Sequence, residues 1–313
     1  MSAAFRSSKK QKVEPFLDFE IKNDKQFVFV PRRMDKSKFK MYKSGRYFEI
    51  SKDKVDELIK DQVYKLPDLQ YLMGVSNTFP YDDKFEETTI YKCLFDYQKE
   101  GVKQVIQKFN GKALIGDEMG LGKTLQAIAV FKYYNPKTLL VICPAYLRYT
   151  WKHEIIKWLD VEPTVINTGK DKMEGDIVIV SYSLACKQSQ KFDMVICDES
   201  HYLKSPKTKR TKTLTPMLKK QQYLLLLTGT PALNRPCELY PQCHLLRPDL
   251  FKNWKAFTKR YCDGKMSPLG YYDYSGASKK FELNWLIQKT IMVRRLKRDV
   301  LTELPKKHRS EIY

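Results

Sequence analysis

The chain has 313 residues, 42% hydrophobic and 13% aromatic, with seven cysteines and a formal net charge of +21. That composition belongs to a globular protein of one large or two medium domains and excludes a disordered or collagen-like chain. No apolar run approaches the roughly 18 residues that cross a bilayer, and the N-terminus lacks an apolar signal core, so no membrane association is expected.

An odd number of cysteines without a C-x-x-C pair fits a reduced, intracellular compartment. Cys237, Cys243 and His244 are close in sequence, but their spacing matches no zinc template. Residues 1–92 hold 19 Lys and Arg against 15 Asp and Glu, so the remainder carries most of the excess, a net +17. A basic surface of that size points to a polyanionic partner, most simply nucleic acid.

Residues 1–15 are read as a basic, flexible N-terminus in which Lys9-Lys10-Gln11-Lys12 resembles a nuclear import signal. Residues 16–90 are read as a small α+β module. Gln26–Val30 and Arg46–Ile50 have strand character, and Ser51 caps a helix with Val55, Leu58 and Ile59 on one face. From Leu66 to Thr89 the chain reads mainly as loop and linker.

From residue 91 the pattern changes. Short apolar runs alternate with helical stretches: Ala113–Ile115, Leu139–Cys143, Ile177–Val180, Met194–Cys197 and Tyr223–Leu227. Continuous apolar strands alternating with helices predict an α/β fold, a parallel sheet covered on both faces. Each run leads into a polar signature at its carboxyl end, where open α/β sheets bind their ligands.

The first signature is Gly116-Asp117-Glu118-Met119-Gly120-Leu121-Gly122-Lys123-Thr124, a phosphate-binding loop in form. Gly120 and Gly122 let backbone N–H groups face phosphate oxygens, Lys123 reaches the outer phosphates, and the Thr124 hydroxyl is suited to Mg²⁺. The pattern G-x-x-x-x-G-K-[ST] departs at one place, Asp117, where glycine is usual. The helical stretch from Thr124 to Val130 points its N-terminus at the loop.

Cys197 leads into Asp198-Glu199-Ser200-His201. Adjacent carboxylates suit nucleotide hydrolysis: Asp198 to hold Mg²⁺, Glu199 to orient and deprotonate the attacking water. The following stretch, Lys204 to Lys212, carries Lys207, Lys209 and Arg210 among hydroxyl side chains with no acid, which is good chemistry for phosphate oxygens. Leu227 leads into Thr228-Gly229-Thr230-Pro231.

In order, Tyr97-Gln98-Lys99-Glu100-Gly101-Val102, GDEMGLGKT, Ile142-Cys143-Pro144, DESH and LTGTP resemble the Snf2 branch of the superfamily 2 helicases, over residues from about 91 to 313. The DESH form is similar to that of the HARP-type annealing helicases. The resemblance implies a RecA-like ATP-binding lobe over 91–250 and a Snf2-type helical extension over 251–313. Trp254, Phe257 and Arg260-Tyr261 in that extension weigh against an RNA helicase. It further implies that Gln98 contacts adenine, that His201, Thr228 and Thr230 couple nucleotide state to the DNA-facing surface, and that Pro144, Tyr146, Arg148, Ser181 and Tyr182 touch the backbone of one strand. Lys204, Lys207, Lys209 and Arg210 would lie near the DNA groove. None of these contacts reads a base edge, so little sequence specificity is expected. The module over 16–90 sits where HARP-type proteins carry a HARP domain.

The run Val293-Arg294-Arg295-Leu296-Lys297-Arg298-Asp299-Val300 resembles the one that closes the first motor lobe of Snf2 proteins. No second RecA-like lobe follows it, so slow hydrolysis by this chain alone is expected. Arginine fingers of the kind such a lobe supplies are worth roughly 10³–10⁵ in rate in related nucleotide hydrolases. The sequence is thus read as the ATP·Mg²⁺-binding lobe of a nuclear DNA-dependent ATPase that anneals or remodels DNA at forks, with a second lobe supplied in cis or trans. A chromatin-remodelling ATPase is the alternative. A non-catalytic nucleic-acid-binding fragment is a further alternative, against which intact Lys123, Asp198 and Glu199 weigh.

Overall fold

A computed structural model describes residues 78–187, 191–229 and 235–300, together with four strands nearer the N-terminus. The chain divides into two compact units, Met1–Gly74 and Val75–Tyr313.

In the first unit β1 (Asp18–Lys22), β2 (Lys25–Phe29), β3 (Lys40–Met41) and β4 (Tyr47–Ile50) form an antiparallel sheet in the order β1-β2-β4-β3. The two strands expected from sequence are β2 and β4, which pair with Val28 opposite Phe48. The helix expected after Ser51 lies outside the described residues.

The second unit is built on seven strands: β5 (Lys112–Ile115), β6 (Leu139–Cys143), β7 (Thr164–Val165), β8 (Ile177–Ser181), β9 (Met194–Cys197), β10 (Tyr223–Leu227) and β13 (Met292–Val293). They pair in parallel in the order β13-β5-β10-β9-β6-β8-β7. A separate two-stranded hairpin joins β11 (Lys265–Met266) to β12 (Tyr272–Asp273). The five apolar runs of the sequence are β5, β6, β8, β9 and β10, and the expected parallel α/β architecture is present.

Burial explains why these runs are apolar throughout rather than alternating. Ala113, Ile115, Val141, Ile179, Ile196 and Leu225 join one core with Val105, Ile128, Val130, Trp151 and Ile155 from the helices Asp96–Gln107, Lys123–Tyr134 and Arg148–Leu159. The intervening residues Leu114, Leu140, Ile142, Val178, Val195 and Leu226 are buried as well. Successive strand side chains point to opposite faces, so both faces of the sheet are covered.

Residues 78–89, read from sequence mainly as loop and linker, instead pack on this unit. Phe79 N–H donates to the Gln107 carbonyl at 2.7 Å, Tyr81 stacks on Tyr133 with ring centroids 5.4 Å apart, and Phe85 is buried. Aromatic side chains in an otherwise polar stretch supply the apolar area that docks it.

Candidate nucleotide and nucleic-acid site

Strands β5, β10 and β9 are neighbours in the sheet, so their carboxyl ends bring 116–124, 228–229 and 198–201 side by side. Leu227 lies opposite Ile115, and Leu226 opposite Cys197. Parallel pairing in this order converts three distant segments into one site.

Gly120 and Gly122 have φ of 84° and 72°, the left-handed region open to glycine at little cost. Gly122 starts the helix Lys123–Tyr134, and no side chain caps its first N–H groups. Lys123 Nζ donates to the carbonyls of Asp117 at 3.0 Å and Glu118 at 3.4 Å. Burial lowers the pKa of this ammonium, while Glu199, Asp117 and Asp198 pull it back up. Met119 is well exposed, Leu121 is buried, and Thr124 is half-buried on the first turn of the helix.

Asp198 is held from two sides. The indole N–H of buried Trp151 donates to Oδ2 at 2.9 Å, and the Glu199 N–H donates to Oδ1 at 2.9 Å. Burial raises the pKa of this carboxyl, and those two donors with Lys123 oppose the rise. Tyr182 O–H donates to the Asp198 carbonyl at 2.8 Å. Glu199 itself sits at φ 49°, ψ 52°, a left-handed conformation costing about 1–2 kcal/mol for a residue with a Cβ. His201 Nδ1 lies 3.0 Å from Glu199 Oε2, a close approach rather than an aligned hydrogen bond. Ser200 O–H donates to Gln242 Oε1 at 2.9 Å, tying the turn to the helix Tyr240–Leu246.

The donor set fits a phosphate chain with a divalent cation: uncapped helix N–H groups, an ammonium inside the loop, and a carboxylate whose two oxygens are already oriented.

Gln98, Asp117 and Thr228 are held inside the fold. Gln98 is buried with both ends of its amide engaged: Oε1 accepts from Phe95 N–H at 3.0 Å, and Nε2 donates to the Leu121 carbonyl at 3.1 Å. It braces the loop from below, and a Cβ on Gly122 would come 2.2 Å from its Nε2. Asp117 is fully buried and bound by Arg295, so its carboxylate is spent on the protein. Thr228 is buried, its N–H continuing the ladder to the Ile115 carbonyl at 3.1 Å, while Thr230 lies outside the described residues.

Of the residues expected on nucleic acid, Tyr146 is 75% exposed, and Lys204, Lys207 and Lys209 are exposed. Lys207 lies over the Tyr274 ring, and Lys204 pairs with Glu238 at 3.7 Å. The Arg210 guanidinium lies over Tyr202 and Tyr182, two stacked rings, at 4.9 and 5.6 Å from their centroids. Pro144, Ser181 and Tyr182 are buried, and Arg148 donates to the carbonyls of Ala145 and Ile166. Pro144, Ser181 and Tyr182 thus lie inside the fold, while the half-buried Arg148 side chain is tied to backbone carbonyls.

Trp151, Gln126, Gln242 and Arg295 were not singled out as site residues by sequence. Trp151 has no local signature, since its role depends on β9 lying next to β6. Arg294-Arg295 was visible as a motif, but only as the end of a lobe.

Residues 97–313 match the family described as SNF2-related domain. The chain is 42% identical over 229 residues to the Xenopus tropicalis SWI/SNF-related matrix-associated actin-dependent regulator of chromatin subfamily A-like protein 1, covering 70% of this chain and 24% of that protein. It is 39% identical over 239 residues to the human DNA annealing helicase and endonuclease ZRANB3, covering 70% of this chain and 22% of that one. A Caenorhabditis elegans homolog of the former is 35% identical over 273 residues, 82% of this chain and 39% of its own length. Among solved structures, the Sulfolobus solfataricus SWI2/SNF2 ATPase core in complex with dsDNA superposes with a TM-score of 0.57 at 28% identity, covering 68% of this chain and 47% of that one. The chain thus spans less than half the length of each of these proteins. With the sheet order, the loop and the acidic turn all in place, the chain belongs to the SNF2-related domain family.

Proposed function

We propose that this chain is the ATP-binding motor lobe of a nuclear DNA-dependent ATPase that anneals or remodels DNA at replication forks and repair sites, working with a second helicase lobe. The observation that carries the nucleotide half is Asp198, buried yet aimed by Trp151 and its neighbour's N–H, with Lys123 close enough to act on its charge. Lys123 with the N–H groups of 122–124 would bind the phosphates, and Thr124 and Asp198 would hold Mg²⁺. Bound Mg²⁺ supplies charge neutralisation at the phosphoryl oxygens. Glu199, half-buried and left-handed, would orient and deprotonate water. His201, next to Glu199, and Thr228, just past the end of β10 between loop and acidic turn, would couple nucleotide state to the DNA-facing surface.

The DNA half rests on the basic helix start. Lys209 and Arg210 occupy the first turn of Lys209–Lys219. Cations there oppose the helix dipole by about 0.3–1 kcal/mol each, an arrangement that an anionic partner relieves. A fluorescent ATP analogue with Mg²⁺ should bind the parent chain and fail to bind Lys123→Ala. Turnover by this chain alone should stay near background while DNA binding weakens with salt, and turnover should respond to forked DNA once a second lobe is supplied. Nucleosomes stimulating more than forked DNA would favour the chromatin-remodelling alternative, and no binding by the parent would sink the proposal.

A further inference from the structure

We propose that Arg295 is the positioning residue of the phosphate-binding loop: clamped on buried Asp117, it sets the shape in which the loop presents Lys123 to phosphates. This rests on the nucleotide reading above.

The loop lacks the glycine usual at position 117 and holds a fully buried carboxylate instead. A buried carboxylate needs a partner and several donors. Arg295 supplies both. Its Nε donates to Asp117 Oδ1 at 3.0 Å, its Nη2 to Oδ2 at 2.5 Å, and its backbone N–H to Oδ1 at 2.9 Å. Gln126 closes the ring: Nε2 donates to Asp117 Oδ2 at 2.9 Å, and Oε1 accepts from Arg295 Nη2 at 2.8 Å. The guanidinium lies over the Tyr97 ring at 5.4 Å. It fits only because residue 101 is glycine, where a Cβ would come 2.4 and 2.8 Å from its two terminal nitrogens.

The backbone repeats the message. Gly116 N–H donates to the Val293 carbonyl at 2.7 Å, and Glu118 N–H to the Arg295 carbonyl at 3.0 Å. Arg294 Nη1 donates to the Gly116 carbonyl at 2.7 Å, and Lys297 N–H to Glu118 Oε2 at 2.8 Å. Residues 116, 117 and 118 are therefore each fastened to 293–297. Lys123 Nζ sits on the carbonyls of 117 and 118, so the segment that holds those carbonyls also places the ammonium. Arg295 acts on the nucleotide through Asp117, not by touching it.

A bidentate fork matters here. Lysine keeps the charge but cannot grip both carboxylate oxygens and Gln126 at once. Losing one partner of a buried pair is costly, whereas replacing both by neutral groups is tolerated. The experiment uses the full chain, a fluorescent ATP analogue with Mg²⁺, and temperatures well below the unfolding transition, with circular dichroism as a check of folding. Arg295→Met should weaken binding by about tenfold or more, and Arg295→Lys should also weaken it. Asp117→Asn combined with Arg295→Met should recover affinity to within about threefold of the parent, because Gln126 can turn its amide to accept from the new amide at 117. Binding by Arg295→Met within about twofold of the parent, with only its thermal midpoint lowered, would assign Arg295 to bulk stability and overturn the proposal. So would a folded double variant that binds no better than Arg295→Met. A parent chain that does not bind above Lys123→Ala would overturn the nucleotide reading and this proposal together, which separates the two failures.

Discussion

Trp151→Phe tests whether the acidic turn is aimed by its surroundings. The indole N–H is 2.9 Å from Asp198 Oδ2, and the side chain is fully buried in the core. Phenylalanine keeps most of the packing and removes the donor. A hydrogen bond to a charged group is worth about 1.5–3 kcal/mol, or about 10- to 150-fold in an equilibrium constant. Among the described residues, the Glu199 N–H on Oδ1 is then the remaining hydrogen-bond donor that orients the carboxylate. Loss of such an outer partner typically costs about 10–100-fold in metal affinity, the same range. The effect belongs to the metal, so the assay compares nucleotide affinity with Mg²⁺ and with a chelator. In the parent, Mg²⁺ should strengthen binding. In Trp151→Phe that gain should shrink by about tenfold or more while metal-free affinity stays within about twofold. A folded Trp151→Phe chain with an undiminished Mg²⁺ gain would refute the account of Asp198.

Gly229→Ala should weaken nucleotide binding, because its Cβ would come 2.4 Å from Met119 Cγ and 3.6 Å from Lys123 Nζ. Overpacking of this kind costs about 1–3 kcal/mol, and adding Met119→Ala should recover much of it; no recovery would place the strain elsewhere. Cysteine labelling followed by mass spectrometry should find exposed Cys93 modified first in the folded chain. Burial pushes the thiols of Cys143 and Cys262 up to about 12 and those of Cys197 and Cys243 above the usual range, so all four should react only after denaturation. Rapid labelling of Cys143 at neutral pH would contradict the buried β6. Replacing Lys207 and Lys209 by Gln should lower the slope of log K against log salt for DNA by about 1.8 if each contacts one phosphate; an unchanged slope would remove the basic helix start from the interface.

Much of this protein is legible in its linear order. The runs Leu139–Cys143 and Ile177–Val180 are apolar at every position, and a strand is apolar at every position only when both faces are covered. That alone determined a parallel sheet clothed in helices. Gly120, Gly122 and Lys123 before a helix, and Asp198-Glu199 after a strand, named the phosphate and carboxylate chemistry, since left-handed turns and adjacent acids are written in residue types.

What sequence could not determine is which strands touch. Parallel strands are joined by long crossovers, so no local turn fixes their order or register. The sheet order β13-β5-β10-β9-β6 was decided only by the folded core. It put Trp151 under Asp198, turned Arg148 and Tyr182 inward, and drew residues 293–297 beside the loop some 178 positions earlier. Asp117 looked like a blemish in a familiar pattern until the segment just after edge strand β13 supplied its arginine. A buried charge declares that it needs a partner; only the tertiary structure says which residue answers.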